Sequence, residues 1–318
     1  MILVTGGLGF IGRHTVRALL DLGESCVLLQ RRTPEVPPDL AGERVAIEQV
    51  DLGDLAALLA VGERHEITGI VHLAGSVPWP PGAHEPLDGA REALASLLNV
   101  VQAAAAWGVS RLGVASTIGV YGGVAEEGPL YEDVPLPMTS GHVIPAFKKI
   151  GELLVDHLSG ALDVEIVNYR IGAIWGPHGR VASPFIAAPA LVHAAAFGTR
   201  PDLTALYSPA HAEDAIDLCY GKDCGRAIAS LQLADSLSHR TYNVSSGRAT
   251  TNAEIVAAIR AVVPDARVDL PTGGSGRPLW LDTTRLVRDT GFRPAYDTER
   301  AVADYLTWLR AARTDMTT

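Results

Sequence analysis

The glycines near the start of the chain have a spacing that suits the binding of a phosphate group. Residues 5–12 read TGGLGFIG, directly after a short apolar run and at the start of a helical pattern. Glycines in that context permit a tight turn that brings the backbone close to a pyrophosphate, and the helix N-terminus stabilises the anion. The sequence therefore predicts a dinucleotide-binding turn. Its residues are Gly6, Gly9, Phe10, Ile11 and Gly12.

The end of the second apolar run indicates which dinucleotide is preferred. NAD-binding proteins usually carry an acidic residue there for the ribose hydroxyls, and this chain has Gln30, followed by Arg31 and Arg32. Arginine side chains form charge-assisted bonds to a 2′-phosphate. We therefore expect NADP as the cofactor, with NAD as the alternative. A solvated loop would also account for both arginines.

Asp51 and Leu52 follow the third apolar run. A carboxylate at this place can accept a hydrogen bond from the adenine amino group. An aspartate here also suits a helix N-cap. We assign both residues to the cofactor site and keep capping as the alternative for Asp51.

Alternating apolar and helical segments predict the elements that position these residues. The expected strands cover residues 2–5, 26–29, 45–50, 69–73, 112–115, 164–169 and 241–244, and amphipathic helices cover 251–263 and 299–310. Such strands are typical of a parallel sheet with helices on both faces. We expect an α/β fold, a doubly wound parallel sheet of the Rossmann type, with a smaller, discontinuous α/β substrate domain. The expected division is 1–170 plus 212–245 for the dinucleotide and 171–211 plus 246–318 for the substrate.

Charge and composition restrict the partners. The 318 residues include 26 Lys and Arg against 36 Asp and Glu, and the net charge of −10 disfavours nucleic acid. Cys26, Cys219 and Cys224 have neither disulfide-framework nor metal-ligand spacing. We recognise no secretory signal and no membrane span. We expect a cytoplasmic protein with a small-molecule partner, no nucleic acid, no membrane and no metal.

Further motifs occur in a fixed order along the chain. They are HLAG at 72–75, ASTIGVYG at 115–122, RIGAIWGP at 170–177, YGKD at 220–223 and YNVSSG at 242–247. With the glycine turn, they make the chain similar to the extended short-chain dehydrogenase/reductase family, of the NAD(P)-dependent sugar epimerase/dehydratase type, over nearly its full length. The resemblance implies that Leu73, Ala74 and Gly75 also contact the cofactor.

The resemblance implies catalytic positions and also shows a departure. Thr117 takes the place of the family's Ser/Thr that hydrogen-bonds the reacting oxygen, and Lys148 takes the place of its lysine. In the family that lysine binds the nicotinamide ribose and lowers the pKa of a tyrosine four residues earlier, which exchanges a proton with the substrate. Ile144 occupies that position here, and residues 132–168 contain no tyrosine.

Three explanations for the missing tyrosine remain open. Another group substitutes for it, substrate or water carries the proton, or the site no longer performs redox chemistry. His142 is one candidate substitute because an unperturbed histidine has a pKa of about 6.5 and suits proton transfer near neutrality. Tyr121 is the second candidate, although in the family this position packs the site wall and touches substrate.

Two positions argue against a nucleotide-sugar substrate. Members that use one usually have an Asn at the position of Ala173 and an Arg at that of Ile216, both to hold the diphosphate. A buried diphosphate without paired donors would be costly. We expect a less charged metabolite. Its predicted contacts are Ser76, Trp79, Thr117, Tyr121, Ile144, Ala173 and Trp175.

These observations leave more than one function open. The first is an NAD(P)-dependent oxidoreductase or epimerase-type enzyme with an atypical acid/base. The second is a non-redox cyclase, isomerase or lyase of natural-product biosynthesis on the same fold, and the third is a cofactor-binding regulatory protein without turnover. The resemblance also implies a homodimer formed by helices near residues 91–107 and 146–158.

Overall fold

The computed structural model describes residues 1–32, 35–75, 86–125, 128–274 and 278–315. Its strands are β1 (Ile2–Thr5), β2 (Cys26–Gln30), β3 (Val45–Gln49), β4 (Gly69–His72), β5 (Arg111–Thr117), β6 (Gly128–Leu130), β7 (Glu165–Ile171), β8 (Ala173–Trp175), β9 (Ala215–Ile216), β10 (Leu218–Tyr220), β11 (Thr241–Val244), β12 (Thr250–Thr251) and β13 (Leu279–Leu281). Its helices are α1 (Phe10–Asp21), α2 (Leu55–Leu59), α3 (Val61–Arg64), α4 (Pro86–Trp107), α5 (Val143–Ser159), α6 (Ala188–Phe197), α7 (Gly221–Leu233), α8 (Asn252–Val262), α9 (Thr284–Thr290) and α10 (Thr298–Asp315).

The main sheet has seven parallel strands in the order β11-β7-β5-β4-β1-β2-β3. The strands predicted from the sequence form this sheet, and the prediction of a doubly wound parallel sheet is confirmed. The chain runs from β1 to one side through β2 and β3, and β4 begins the other side. The carboxyl ends of β1 and β4 therefore flank the crevice in which such sheets bind ligands.

Two apolar layers explain why the sheet strands are almost wholly buried. Helices α1 and α7 pack against one face, where Leu19, Leu28 and Ile228 belong to one core. Helices α4 and α5 cover the opposite face, where Val101 and Val155 belong to the other. Strands that are covered on both faces need apolar side chains on both. This requirement explains why each strand is a continuous apolar run in the sequence.

A third core lies among α6, α8 and α10, with Leu191, Ile259 and Leu306 at its centre. Beside it, β8 pairs with β10, and β12, β9, β13 and β6 form a small mixed sheet. Both amphipathic helices expected near the carboxyl end are present, as α8 and α10. The expected division of residues between two domains stays a prediction.

The described ranges lack two further features. None of their helices combines the length and the apolar character that a bilayer crossing requires. No group of three or more His, Cys, Asp or Glu side chains there is arranged to hold a metal ion.

Candidate active site

The glycine turn between β1 and α1 has the geometry of an anion cradle. Gly6 has φ of +69°, and the backbone N–H of Gly9 donates to its carbonyl oxygen at 2.9 Å. A Cβ atom at Gly12 would lie 2.0 Å from that same oxygen. Helix α1 begins at Phe10 without a side-chain cap, which leaves its first N–H groups available to a ligand. The turn therefore fits the pyrophosphate of a dinucleotide.

The end of β2 lies beside this turn because β2 pairs with β1. Arg31 and Arg32 are exposed there, and neither guanidinium forms an ion pair with the residues that the structure describes. Gln30 ends β2, and its buried amide nitrogen has no hydrogen-bond partner among those residues. The predicted contact of Arg31 and Arg32 with a 2′-phosphate stays a prediction.

The capping alternative for Asp51 is wrong. Helix α2 is capped by Asp54, whose side chain accepts from the backbone N–H of Ala57. The exposed Asp51 accepts from the N–H of Gly53 at 2.9 Å in a short turn, while Leu52 packs partly against the core. The predicted contact of Asp51 with adenine stays a prediction.

The residues after β4 are held close to the glycine turn. The Thr5 side-chain oxygen accepts from the N–H of Ala74 at 3.1 Å and lies 2.8 Å from Nδ1 of His72. A Cβ atom at Gly6 would lie 3.0 Å from the backbone nitrogen of Ala74. The predicted cofactor contacts Leu73, Ala74 and Gly75 therefore line the same crevice as the glycines. Ser76 and Trp79 lie outside the described residues.

Thr117 ends β5 at the carboxyl edge of the sheet. Its hydroxyl oxygen accepts from the N–H of Gly119 and caps a short 3₁₀ helix over Ile118–Tyr121. A Cβ atom at Gly119 would lie 2.8 Å from Cγ of Pro145 in α5. This close approach brings Thr117 to the amino-terminal part of α5, where the other predicted catalytic residues lie.

Helix α5 carries Ile144 in its first turn and Lys148 one turn later, both partly buried. Its N-cap is His142, whose Nδ1 accepts from the N–H of Ile144 at 3.2 Å. The His142 ring also meets Phe185 edge-on at a centroid distance of 5.7 Å. The Tyr207 ring also lies close to His142, at a centroid distance of 6.4 Å, and sequence reasoning did not single it out. The role of His142 in proton transfer stays a prediction.

The interpretation of Tyr121 as an acid/base needs correction. The side chain is 4% exposed, its hydroxyl donates to Asn243 at 2.8 Å, and it accepts from Arg170 at 3.0 Å. Burial raises the pKa of this phenol, against the opposing charge of Arg170. The hydroxyl is engaged in a buried network, and a contact between Tyr121 and a substrate stays a prediction.

That network contains an ion pair that sequence reasoning missed. Arg170 on β7 donates to both carboxylate oxygens of Glu152 on α5, and its other nitrogen reaches Tyr121. The Ser116 hydroxyl donates to the same carboxylate. The spacing of Glu152 four residues after Lys148 was the available signal, because residues at that interval share a helix face.

Lys149 is a second residue that sequence reasoning missed. Its ammonium donates to the carbonyl oxygens of Pro137 and Thr139, and its side chain is largely buried. These bonds fix the segment that leads into α5.

The assignment of Trp175 to the substrate site also needs correction. Its side chain is 2% exposed and packs edge-on against Tyr220 and Tyr305, at centroid distances of 5.3 and 6.2 Å. The indole belongs to the third core and supports β8. Ala173, two residues earlier, is only partly buried.

A cavity of about 490 Å³ lies between β9 and the segment that leads into α6. Its described lining is mainly apolar, with Phe185, Leu206 and Ile216 among its members, and includes no lysine or arginine. Phe185 connects the cavity to His142 at the start of α5. The cavity is therefore large enough for a metabolite. Its described lining has no arginine or lysine that could bind a dicarboxylate or a diphosphate.

Comparison with known proteins agrees with this geometry. A model of the NAD dependent epimerase/dehydratase family matches residues 2–245. A UDP-glucose 4-epimerase of Azospirillum brasilense is 27% identical over 338 aligned residues, which cover 98% of this chain and 92% of the relative. The structure of a Thermus thermophilus UDP-glucose 4-epimerase in complex with NAD superposes with a TM-score of 0.79 and 25% identity, covering 98% of this chain and 99% of the other. A Thermotoga maritima UDP-glucose 4-epimerase with UDP-glucose shares the fold, with a TM-score of 0.80, 19% identity and coverage of 98% and 99%.

Proposed function

We infer, from the premise that this chain belongs to the NAD dependent epimerase/dehydratase family, that it is an oxidoreductase or epimerase-type enzyme that transfers a hydride to and from a small metabolite. The observation that carries the proposal is the convergence of the glycine cradle at α1, Thr117 at the end of β5 and Lys148 on α5 at one edge of the sheet. When bound, a nicotinamide dinucleotide supplies the acceptor or donor of the hydride.

The chain's own residues have separate tasks in this proposal. Gly6, Gly9 and Gly12 accommodate the pyrophosphate, and Lys148 holds the nicotinamide ribose. The Thr117 hydroxyl donates a hydrogen bond to the reacting oxygen. Such a bond stabilises negative charge that develops on the oxygen as the hydride moves.

We propose NADP as the preferred dinucleotide, within a family that is NAD-dependent. Arg31 and Arg32 support this choice because both are exposed, near the adenosine end of the expected site, and without a described ion-pair partner. The absence of a carboxylate at Gln30 supports it further. Within the described ranges, no carboxylate pairs with either guanidinium and so competes with a phosphate for it.

We propose that the substrate is a metabolite of low negative charge and not a nucleotide sugar. The relatives named above act on UDP-glucose, so this is a departure from them. The support is the lining of the 490 Å³ cavity, which has Ile216 at one of the two positions where the sequence lacks a diphosphate ligand. Because an unpaired buried diphosphate is costly, an apolar or weakly polar substrate fits better.

A homodimer is also part of the proposal. Helices α4 and α5 pack against each other and carry exposed apolar side chains on their outer surfaces, Leu98 on α4 and Ile150 and Leu153 on α5. A four-helix contact between two copies would cover them. The cytoplasmic location likewise stays a prediction.

The experiment measures binding first and turnover second. Calorimetric titration with NADP⁺, NADPH, NAD⁺ and NADH tests the cofactor site, and we expect the phosphorylated pair to bind more tightly. The loaded protein is then incubated with a panel of uncharged ketones and secondary alcohols and with UDP-glucose, while nicotinamide absorbance and product mass are recorded. Absence of binding by all four nucleotides would contradict the proposal.

Product formation without an absorbance change has two explanations, because an epimerase regenerates its nicotinamide. Transfer of deuterium from a nicotinamide labelled at C4 separates them, since only a redox enzyme can exchange that label. A product without any exchange would favour a non-redox isomerase, cyclase or lyase. Missing turnover with tight binding would favour a regulatory protein. Both alternatives, a non-redox enzyme and a regulatory protein, are tested because Ile144 occupies the position of the family's catalytic tyrosine.

A further inference from the structure

A small cavity with polar and apolar lining lies beside Lys148, between the main sheet and helices α4 and α5. Its volume is about 50 Å³, and its polar lining comes from Lys148, Glu152, His72, Ser116 and Asn168. The lining side chains of α4 are apolar: Ala93, Leu94 and Leu97. None of the roles described so far uses this space.

One wall of the cavity holds an acceptor that lacks a donor. Asn168 is buried, and its Oδ1 has no hydrogen-bond partner among the residues that the structure describes. Asn168 and His72 each pair in register with Val114, so their side chains leave the same face of the sheet. Nδ1 of His72 lies 2.8 Å from Thr5 Oγ1, which also accepts from the N–H of Ala74.

The opposite wall holds donors that lack acceptors. An ammonium group has three N–H donors, and Lys148 makes no hydrogen bond to any described residue. Loss of hydration lowers the pKa of Lys148 to about 8, although the charge of Glu152 acts in the opposite direction. Both oxygens of Glu152 are already bonded to Arg170, and burial lowers the pKa of His72 to about 3. His72 is therefore not suited to exchange a proton near neutrality.

A bound water would supply a donor to Asn168 Oδ1 and an acceptor to the Lys148 ammonium. A single buried water needs only about 10–15 Å³ of such space and two to four polar partners. We propose that the cavity is an internal hydration site, and that its water and Lys148 together carry the proton that the missing tyrosine would carry. This inference rests on the proposed function and adds the identity of its acid/base.

The step balances without a further reactant. In alcohol oxidation, the carbinol C–H bond breaks and its electron pair leaves as hydride to an oxidised nicotinamide dinucleotide. The O–H bond breaks and its proton goes to the neutral amine of Lys148, which leaves a substrate carbonyl and an ammonium. The ammonium returns to the amine by giving a proton to solvent through the cavity water. Carbonyl reduction reverses each transfer.

The first test uses the free protein and needs no substrate. The chain has three lysines, Lys148, Lys149 and Lys222, so protein labelled with ¹³C at lysine Cε gives a spectrum that is simple to assign with Lys148→Met. We expect the Lys148 signal to titrate near pH 8, as its pKa of about 8 requires. Asn168→Leu should lower that midpoint by about one unit, and Asn168→Asp should raise it by a similar amount.

The two Asn168 variants keep the test decisive. A midpoint near the unperturbed lysine value of about 10.4, or one that neither variant moves, would overturn the proposal. If Asn168→Leu does not fold, Asn168→Asp and His72→Asn still report on the cavity. A structure at high resolution should also show water within hydrogen-bond distance of Asn168 Oδ1 and Lys148 Nζ, and an empty cavity would count against it.

The second test separates this inference from the proposed function. Reduction of p-nitrobenzaldehyde by the NADPH-loaded protein is followed across pH, and the Asn168 variants should shift the pH profile in the same direction as the NMR midpoint. Lys148→Arg should retain most nucleotide binding and lose turnover by at least about 100-fold, in the range of general acid–base contributions. Loss of nucleotide binding by the wild-type protein contradicts the proposed function, whereas turnover that depends on His142 and not on Lys148 contradicts only the proton carrier.

Discussion

The Arg170 guanidinium donates two parallel hydrogen bonds to the Glu152 carboxylate, with Nε 3.1 Å from Oε1 and Nη2 2.7 Å from Oε2. The pair lies between the main sheet and α5. Both side chains are buried. The pair therefore ties the strand that precedes β8 to the helix that carries Lys148. Its contribution can be measured by removing one partner.

Glu152→Gln should destabilise the protein strongly. The substitution leaves the Arg170 charge buried without a counter-ion, and breaking such a pair costs about 3–5 kcal/mol of the free energy of unfolding. Urea denaturation followed by circular dichroism measures the loss. Asp21→Asn removes an exposed pair with Arg17 and should cost less than about 1 kcal/mol. Equal losses in the two variants would contradict the assigned importance of the buried pair.

Gly12→Ala should weaken dinucleotide binding. Its Cβ would lie 2.0 Å from the carbonyl oxygen of Gly6, so the cradle must open. Calorimetric titration with NADP⁺ should show affinity lowered by at least about tenfold, since even 1.4 kcal/mol of distortion has that effect. Gly160→Ala is the matched control, because its Cβ meets only ordinary contact at the end of α5. Unchanged affinity in Gly12→Ala would exclude the turn as the pyrophosphate site.

Replacement of Arg31 and Arg32 by alanine should change the choice of dinucleotide. Each charge-assisted bond to a 2′-phosphate contributes about 1.5–3 kcal/mol, so the Kd for NADP⁺ should rise by about tenfold or more. The Kd for NAD⁺ should stay within about twofold, because NAD⁺ carries no such phosphate. Arg260→Ala, on the distant helix α8, controls for a general loss of positive charge. An equal loss of affinity for NADP⁺ and for NAD⁺ would show that the arginines do not bind the 2′-phosphate.

Leu153→Glu should convert the proposed dimer to a monomer. Leu153 on α5 is 59% exposed, so the charge costs little in the isolated chain but is costly in an apolar contact between copies. Analytical ultracentrifugation measures the mass. Leu22→Glu is the control, since Leu22 has the same exposed fraction and lies at the end of α1. A wild-type protein that sediments as a monomer would remove the dimer from the proposal.

Stability should fall in mild acid because His72 is held neutral. Burial lowers its pKa to about 3, whereas an unfolded histidine has a pKa of about 6.5. Between these values the unfolded chain binds a proton that the folded protein does not bind, so the free energy of unfolding decreases as pH falls through this range.

His72→Asn should therefore flatten the dependence of stability on pH. The slope should decrease by up to about 1.4 kcal/mol per pH unit in that range, measured by urea denaturation at several pH values. His14, whose pKa is lowered to about 4, keeps part of the slope. Exposed His157→Gln should leave it unchanged, and an identical slope in His72→Asn would contradict the neutral buried state.

Local patterns of the sequence were sufficient for the sheet and for the glycine turn. Apolar runs separated by helical segments predicted all seven strands of the main sheet, because strands buried on both faces cannot carry polar residues without a partner. The spacing of Gly6, Gly9 and Gly12 predicted the turn, since its backbone conformation depends on residues that are neighbours in the chain.

The burial and the hydrogen-bond partners of single side chains were decided only by packing between distant segments. The sequence placed Tyr121 and Trp175 in the site, but Asn243 binds the first and Tyr305 covers the second, and each partner lies more than a hundred residues away. Strand register set Asn168 beside His72, and helix packing brought Lys148 against both. Motifs fix backbone geometry locally, whereas burial and hydrogen-bond partners depend on contacts that exist only after the chain has folded.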